Sequence, residues 1–166
     1  DYLAQIRRAD VWANGIWTRG GFSAALAATL GVDSFWREGL VRKGLFAGLD
    51  DNGQEISYDG RLLTSYDEKG RVISSKGKSE VSTFFTWSTK LALAYELAGG
   101  HRFSVNAGYF NDAPTFNQSF ISARTRNSLV EDLTTVKTLS ADANYQYNNS
   151  GYSLRVTEFY TNIKDQ

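Results

Sequence analysis

The stretch FTWSTKLALAYELAGGHRFSVNAGYF, Phe85 to Phe110, decides the reading of the fold. Every second residue of its first half lies on one face: Phe85, Trp87, Thr89, Leu91, Leu93, Tyr95 and Leu97, with Thr86, Ser88 and Lys90 opposite. A period of two puts alternate side chains on the two faces of a strand, whereas a helix needs apolar residues three and four apart. The alternation resumes at Phe103, Val105, Ala107 and Tyr109 against Ser104, Asn106 and Gly108. Between the runs, Glu96-Leu97-Ala98-Gly99-Gly100-His101 is short and carries the glycines of a tight hairpin. The stretch predicts an antiparallel hairpin with one apolar face and one small or polar face.

The same pattern recurs on both sides of it. Upstream, Phe22, Ala24, Leu26, Ala28, Leu30 and Val32 alternate with Ser23, Ala25, Ala27, Thr29 and Asp33, with Gly31 between, after a weaker run at Val11, Ala13, Gly15 and Trp17. Downstream, Leu139, Ala141, Ala143, Tyr145 and Tyr147 alternate with Ser140, Asp142, Asn144 and Gln146. Tyr152, Leu154 and Val156 alternate with Ser153, Arg155 and Thr157. About six strands are expected, so the fold class is all-β and antiparallel. Alternation by itself fits both a membrane barrel with a polar lumen and one sheet of a soluble sandwich.

The connections separate these alternatives. Thr18-Arg19-Gly20-Gly21, the Gly99-Gly100 turn and Asn148-Asn149-Ser150-Gly151 are short, while about residues 36–82 and 111–132 form long loops. Short and long connections alternate strictly, which in an up-and-down sheet sends every short turn to one rim and every long loop to the other. Outer-membrane barrels are built this way. Ring-bearing residues mark both strand ends. Trp17, Phe22, Tyr95, Phe103, Tyr145, Tyr147 and Tyr152 lie beside the short turns, and Trp87 and Tyr109 lie toward the long loops, as two interfacial girdles would require. The expectation is an antiparallel transmembrane β-barrel segment of about six up-and-down strands. Glu158 breaks the pattern by continuing the apolar parity of Leu154 and Val156; a bulge, or a position above the bilayer, would resolve the conflict.

Composition removes several function classes. Lys+Arg and Asp+Glu both number 18, so no basic excess favours nucleic acid. There is no cysteine, hence no disulfide, thiol nucleophile or thiolate metal site. His101 is the single histidine and reads as a solvated turn residue; no metal site is expected. Asp50-Asp51-Asn52-Gly53 lacks the earlier acid of a calcium loop, where Gly48 stands, and reads as a turn, as does Tyr66-Asp67-Glu68-Lys69-Gly70. Between them, Glu55 to Tyr66 suits a hairpin outside the membrane. No serine elbow, phosphate loop or glycosidase carboxylate pair occurs, so no enzyme activity and no cofactor are expected. No apolar run reaches the roughly 20 residues of a membrane helix.

Lys90 to Leu97, His101 to Phe110 and Ala113-Pro114 together resemble the late barrel region of TonB-dependent outer-membrane receptors, most closely those of Bacteroidetes-type bacteria. The likeness continues through Leu133–Tyr147 to a strand ending near Lys164-Asp165, about half the chain, and extends more loosely to Trp12–Val32. It implies a bacterial outer-membrane location and energy-coupled uptake of a scarce ligand such as a siderophore, haem, oligosaccharide, peptide or cobalamin. The implied partners are the lipid bilayer, the remaining barrel strands and plug, the TonB energy complex acting through that plug, and a surface lipoprotein. Residues 1–166 are then expected to be part of one large plugged barrel domain, an excerpt of a longer receptor whose plug lies elsewhere.

The loops hold the candidate ligand contacts: Trp36, Arg37, Arg42, Lys43 and Phe46 in the first, and Phe116, Asn117, Phe120, Arg124 and Arg126 in the second. Rings with arginines can hold an anionic, planar or sugar-like ligand by stacking and forked hydrogen bonds. Packing of the loops on one another is the alternative role for each residue. The rival functions are a passive porin, an adhesion or secretion barrel, and a soluble all-β carbohydrate-binding module.

Overall fold

The computed structural model describes residues 1–164, so Asp165, expected near the end of the last strand, lies outside the described residues. Strands β1 (Tyr2–Arg19) and β2 (Phe22–Gly39) are followed by five two-residue strands: β3 (Ser57–Tyr58), β4 (Arg61–Leu62), β5 (Ser65–Tyr66), β6 (Val72–Ile73) and β7 (Gly77–Lys78). Then come β8 (Ser82–Leu97), β9 (His101–Asp112), β10 (Val136–Asn148) and β11 (Ser153–Lys164), with one helical turn at Phe116–Ser119. The long strands are ordered β1-β2-β8-β9-β10-β11, so each neighbours its successor in an antiparallel, up-and-down sheet. The fold class and the number of long strands match the sequence expectation.

Two boundaries differ. The first long connection runs from residue 40 to 81 and the second from 113 to 135, rather than 36–82 and 111–132. Trp36 and Arg37 therefore belong to β2, not to the loop. The alternation continues through Asp33, Phe35, Arg37 and Gly39 on one side against Ser34, Trp36 and Glu38 on the other. Its buried members include an acid and a base, and so carry no hydropathic signal.

The chain divides into two compact units. One comprises Asp1–Arg8, Asp33–Thr83 and Pro114–Leu133; the other comprises Ala9–Val32, Phe84–Ala113 and residues 134–164. The second is sheet. Its turns use glycine where the backbone demands it: Gly100 has φ +83°, and a Cβ there would stand 2.0 Å from the Asn148 carbonyl oxygen.

Register builds the apolar face of this unit in rows. Tyr95, Phe103, Tyr145 and Val156 lie side by side. Leu93, Val105, Ala143 and Glu158 form the next row, and Leu91, Ala107, Ala141 and Tyr160 the one after. β10–β11 pairing is continuous from Lys137↔Lys164 to Asn148↔Ser153, so no bulge turns Glu158 away. It shares a face and a row with Leu93 and Val105, the one carboxylate in these rows. This face is uncovered: Val105 is 49% exposed, Phe103 48% and Val156 55%. The buried apolar side chains among the described residues are Phe35, Ala47, Pro114 and Phe120, all in the other unit.

That unit is a folded cap made from both long connections. Ala47 N–H bonds the Leu63 carbonyl, Ser75 N–H bonds the Phe46 carbonyl, and Asn127 N–H bonds the Ser74 carbonyl. The hairpin expected within Glu55–Tyr66 forms as β3 and β4. Phe116 packs 4.8 Å from Phe120, 6.1 Å from Phe35 and 6.2 Å from Tyr2, ring centre to ring centre. Backbone reaches β2 closely here: a Cβ on Gly39 would lie 1.7 Å from the Ser75 carbonyl oxygen, a contact open only to glycine.

Candidate functional site

Arg37 is the centre of the cap. It is wholly buried. Its Nε–H donates to the Ala123 carbonyl at 2.6 Å, and Nη1 donates to the Ser75 carbonyl at 2.8 Å and to Asn127 Oδ1. Its guanidinium carbon stands 5.0 Å from the centre of the Tyr2 ring. Its backbone exchanges two bonds with Ser79: the Arg37 N–H donates to Ser79 Oγ, and the Ser79 N–H to the Arg37 carbonyl. Nη2 is buried without a hydrogen-bond partner. One planar cation thus joins the loop after β2 to the loop after β9. In this structure Arg37 is a fastener of both loops, not a surface ligand contact. Phe120, 4% exposed, is likewise core.

The other loop candidates separate by exposure. Arg42 is turned back on its own loop, donating to the Leu49 carbonyl and pairing with Asp51 at 2.8 Å. Lys43 Nζ donates to the Arg124 carbonyl at 3.2 Å, leaving the Arg124 side chain exposed. Arg126 lies over Phe46, 5.1 Å from the ring centre. Asn117 is exposed, while Phe116 is tied into the ring cluster. Trp36 is on the side of β2 opposite Phe35 and Arg37, between Arg7 and Lys78. The arrangement brings Lys43 to Arg124 and Phe46 to Arg126, and keeps Trp36 apart from them.

The turn at Tyr66–Gly70 carries its own electrostatic lock. Asp67 Oδ1 accepts the Arg71 and Lys69 backbone N–H groups at 2.7 and 3.0 Å, and Oδ2 accepts Arg71 Nε at 2.7 Å. The backbone bond from Arg71, with its side-chain bond and charge, holds the Asp67 carboxyl below its ordinary range. A depressed carboxylate stabilises the fold fully above its unfolded-state pKa, and that contribution disappears as pH falls through the lower folded value. The amide of Arg71 is expected to keep its hydrogen-exchange protection at neutral pH and lose it only below pH ~4. A protection profile flat through that range would remove the lock.

The polar face of the sheet unit carries a second cluster. Asp142 Oδ1 accepts the side-chain amides of Asn106 at 2.8 Å and Asn144 at 2.5 Å. Asn144 Oδ1 accepts the Thr157 hydroxyl at 2.7 Å and Arg155 at 3.2 Å. Beside this ladder lies an open hollow of about 340 Å³ edged by Asn14, Ala27, Lys90, Asn106, Ser140 and Asp142. Alternation alone places these side chains on a polar face. The ladder leaves no sign in the pattern, because which amide meets which carboxylate depends on register across β9, β10 and β11.

The rings beside the short turns form contacts across strands. Tyr145 lies 5.0 Å from Phe103, Tyr147 5.6 Å from Tyr152, and Trp17 5.8 Å from Phe22. Toward the other end, Trp87 stacks on Tyr109 at 5.2 Å. His101, read as a solvated turn residue, instead begins β9; its Nδ1 lies 2.8 Å from the Tyr145 hydroxyl and its ring 4.6 Å from Tyr147. Pairing with β10 at Tyr147 draws it onto the ring row. No group of metal-ligating side chains occurs among the described residues. No protein-family model, curated protein or solved structure matches this chain.

Proposed function

We propose that the chain is wall and cell-surface loops of a bacterial outer-membrane receptor that imports a scarce nutrient by energy-coupled, TonB-dependent transport. The observation that carries the membrane part is the uncovered apolar face of β8–β11, edged by rings, in a unit that buries no large apolar side chain among the described residues. Water is a poor solvent for such a face; lipid is a good one. Phe85 and Tyr95 stand ten residues apart on it, about 33 Å along a strand. At a tilt of roughly 40°, that spans about 25 Å of bilayer, the height of a barrel's lipid-facing band.

The polar ladder of Asn106, Asp142 and Asn144 then faces the lumen and the plug. The receptor part of the reading rests on the resemblance of Lys90–Leu97, His101–Phe110 and Ala113-Pro114 to late barrel strands. Among the loop candidates, Arg124 and Asn117 are exposed and Lys43 and Arg126 half-exposed, and an anionic ligand suits the three cations.

The test uses the native gene product in its own membrane, with uptake of siderophore, haem and oligosaccharide panels measured before and after an uncoupler. Uptake that collapses with the uncoupler supports the reading, and uptake that persists makes the protein a passive porin. Arg124→Ala is expected to lower uptake about tenfold, the worth of one charge-assisted hydrogen bond, with the barrel still folded. Recovery of a monodisperse, detergent-free protein would remove the membrane reading altogether.

A further inference from the structure

We propose that Arg7, Trp36 and Lys78 bind the phosphate of an anionic lipid headgroup, an assignment that rests on the membrane reading above. Arg7 Cζ lies 4.9 Å and Lys78 Nζ 4.7 Å from the centre of the same indole ring. Glu38 stands opposite Lys78 in register, yet neither cation forms an ion pair with a carboxylate among the described residues. The neighbouring Arg8 faces the other way, toward Asp33 at 3.7 Å.

Cation–π contact gathers both charges at one ring without neutralising them. A phosphate beside the ring takes charge-assisted hydrogen bonds from the cation it meets, and the indole N–H supplies a further donor. The occupant follows from the side of the strand. Asp33, Phe35, Arg37 and Gly39 are buried beneath the loops, whereas Trp36 has the opposite parity. That parity is shared along β2 with Leu26, Leu30 and Val32, apolar side chains 59%, 50% and 46% exposed. In a barrel this is the lipid side, and tryptophan beside cations at the end of an apolar run suits the headgroup level. A soluble ligand caught by the loops would meet the other side of β2.

The experiment reconstitutes the full chain in phosphatidylcholine vesicles containing brominated phosphatidylcholine or brominated phosphatidic acid. Quenching of Trp36 is taken as the difference between the wild-type chain and Trp36→Phe. Brominated phosphatidic acid is expected to quench Trp36 at much lower mole fraction than brominated phosphatidylcholine. Arg7→Gln and Lys78→Gln should each reduce that preference about fivefold, while Lys78→Arg preserves it. Excess inorganic phosphate should leave quenching unchanged. Equal quenching by the two lipids overturns the site while leaving the membrane reading intact. Displacement by inorganic phosphate overturns the lipid assignment in favour of a soluble anion. Absence of quenching at every tryptophan overturns the membrane reading, and the site with it.

Discussion

Arg37→Met is expected to release both long loops while the six long strands stay paired. The substitution keeps volume and removes the donors that serve the Ser75 carbonyl, the Ala123 carbonyl and Asn127 Oδ1. Ser75 is fully buried whereas Ala123 and Asn127 are half-buried, and an acceptor left buried and unpaired costs about 1–3 kcal/mol. Removing a guanidinium that has no carboxylate partner among the described residues recovers part of this, so a net loss of roughly 3 kcal/mol in the cap is expected. Trypsin reports it, because Arg61 and Arg124 are exposed sites within the two loops. Cleavage at both should accelerate at least tenfold, with unchanged far-ultraviolet circular dichroism. Arg37→Lys should fall between the two, since an ammonium cannot serve the three acceptors in one plane. Cleavage at the wild-type rate in Arg37→Met would show that the loops hold together without this residue.

The second large effect separates the faces of β9. Val105 stands on the apolar face beside Leu93 and Ala143, and Ser104 stands next to it in sequence on the polar face. In a bilayer, Val105→Arg should lower folding stability by about 2–4 kcal/mol, the depth-dependent cost of an arginine on a lipid-facing strand. Ser104→Arg should change it by under ~0.5 kcal/mol, as surface substitutions usually do. Urea titration of vesicle-folded protein measures both. Equal stability of the two variants would mean that lipid does not cover the Val105 face. Glu158 gives this measurement added interest. It occupies the same row as Val105, and the unbroken register leaves it on the apolar face. Glu158→Leu is expected to stabilise the bilayer-folded protein if lipid reaches that row.

The sheet was legible because its signals are local. Leu91, Leu93, Val105 and Ala107 alternate with polar neighbours, and paired glycines mark the turn between them. Those facts suffice for strand, hairpin and face, and the register then follows from the length of the turn. The cap was not legible. Arg37 reads in sequence as an exposed base following a tryptophan, and its burial depends on Ser75, Ala123 and Asn127 arriving from 38 to 90 residues away. Trp36 and Arg37 also looked like loop partners because they are adjacent. A strand puts adjacent side chains on opposite faces, so one went to the core of the cap and the other to the cation cluster with Arg7 and Lys78. His101 moved from turn to ring row for a similar reason, since only pairing with β10 sets it against Tyr145 and Tyr147.

Residue spacing is enough for six alternating strands, their antiparallel order, the identity of the apolar face and the segregation of short turns from long loops. All of these depend on periods of two and on glycine placement, which act between residues close in the chain. Tertiary structure alone decided that β1 and β2 run further than their apolar patterns, that Arg37 fastens two distant loops, and that Asn106, Asp142, Asn144 and Thr157 join into one ladder. These contacts pair groups that hydropathy scores alike as polar. Their partners are chosen by register and loop closure, which no short stretch of chain encodes.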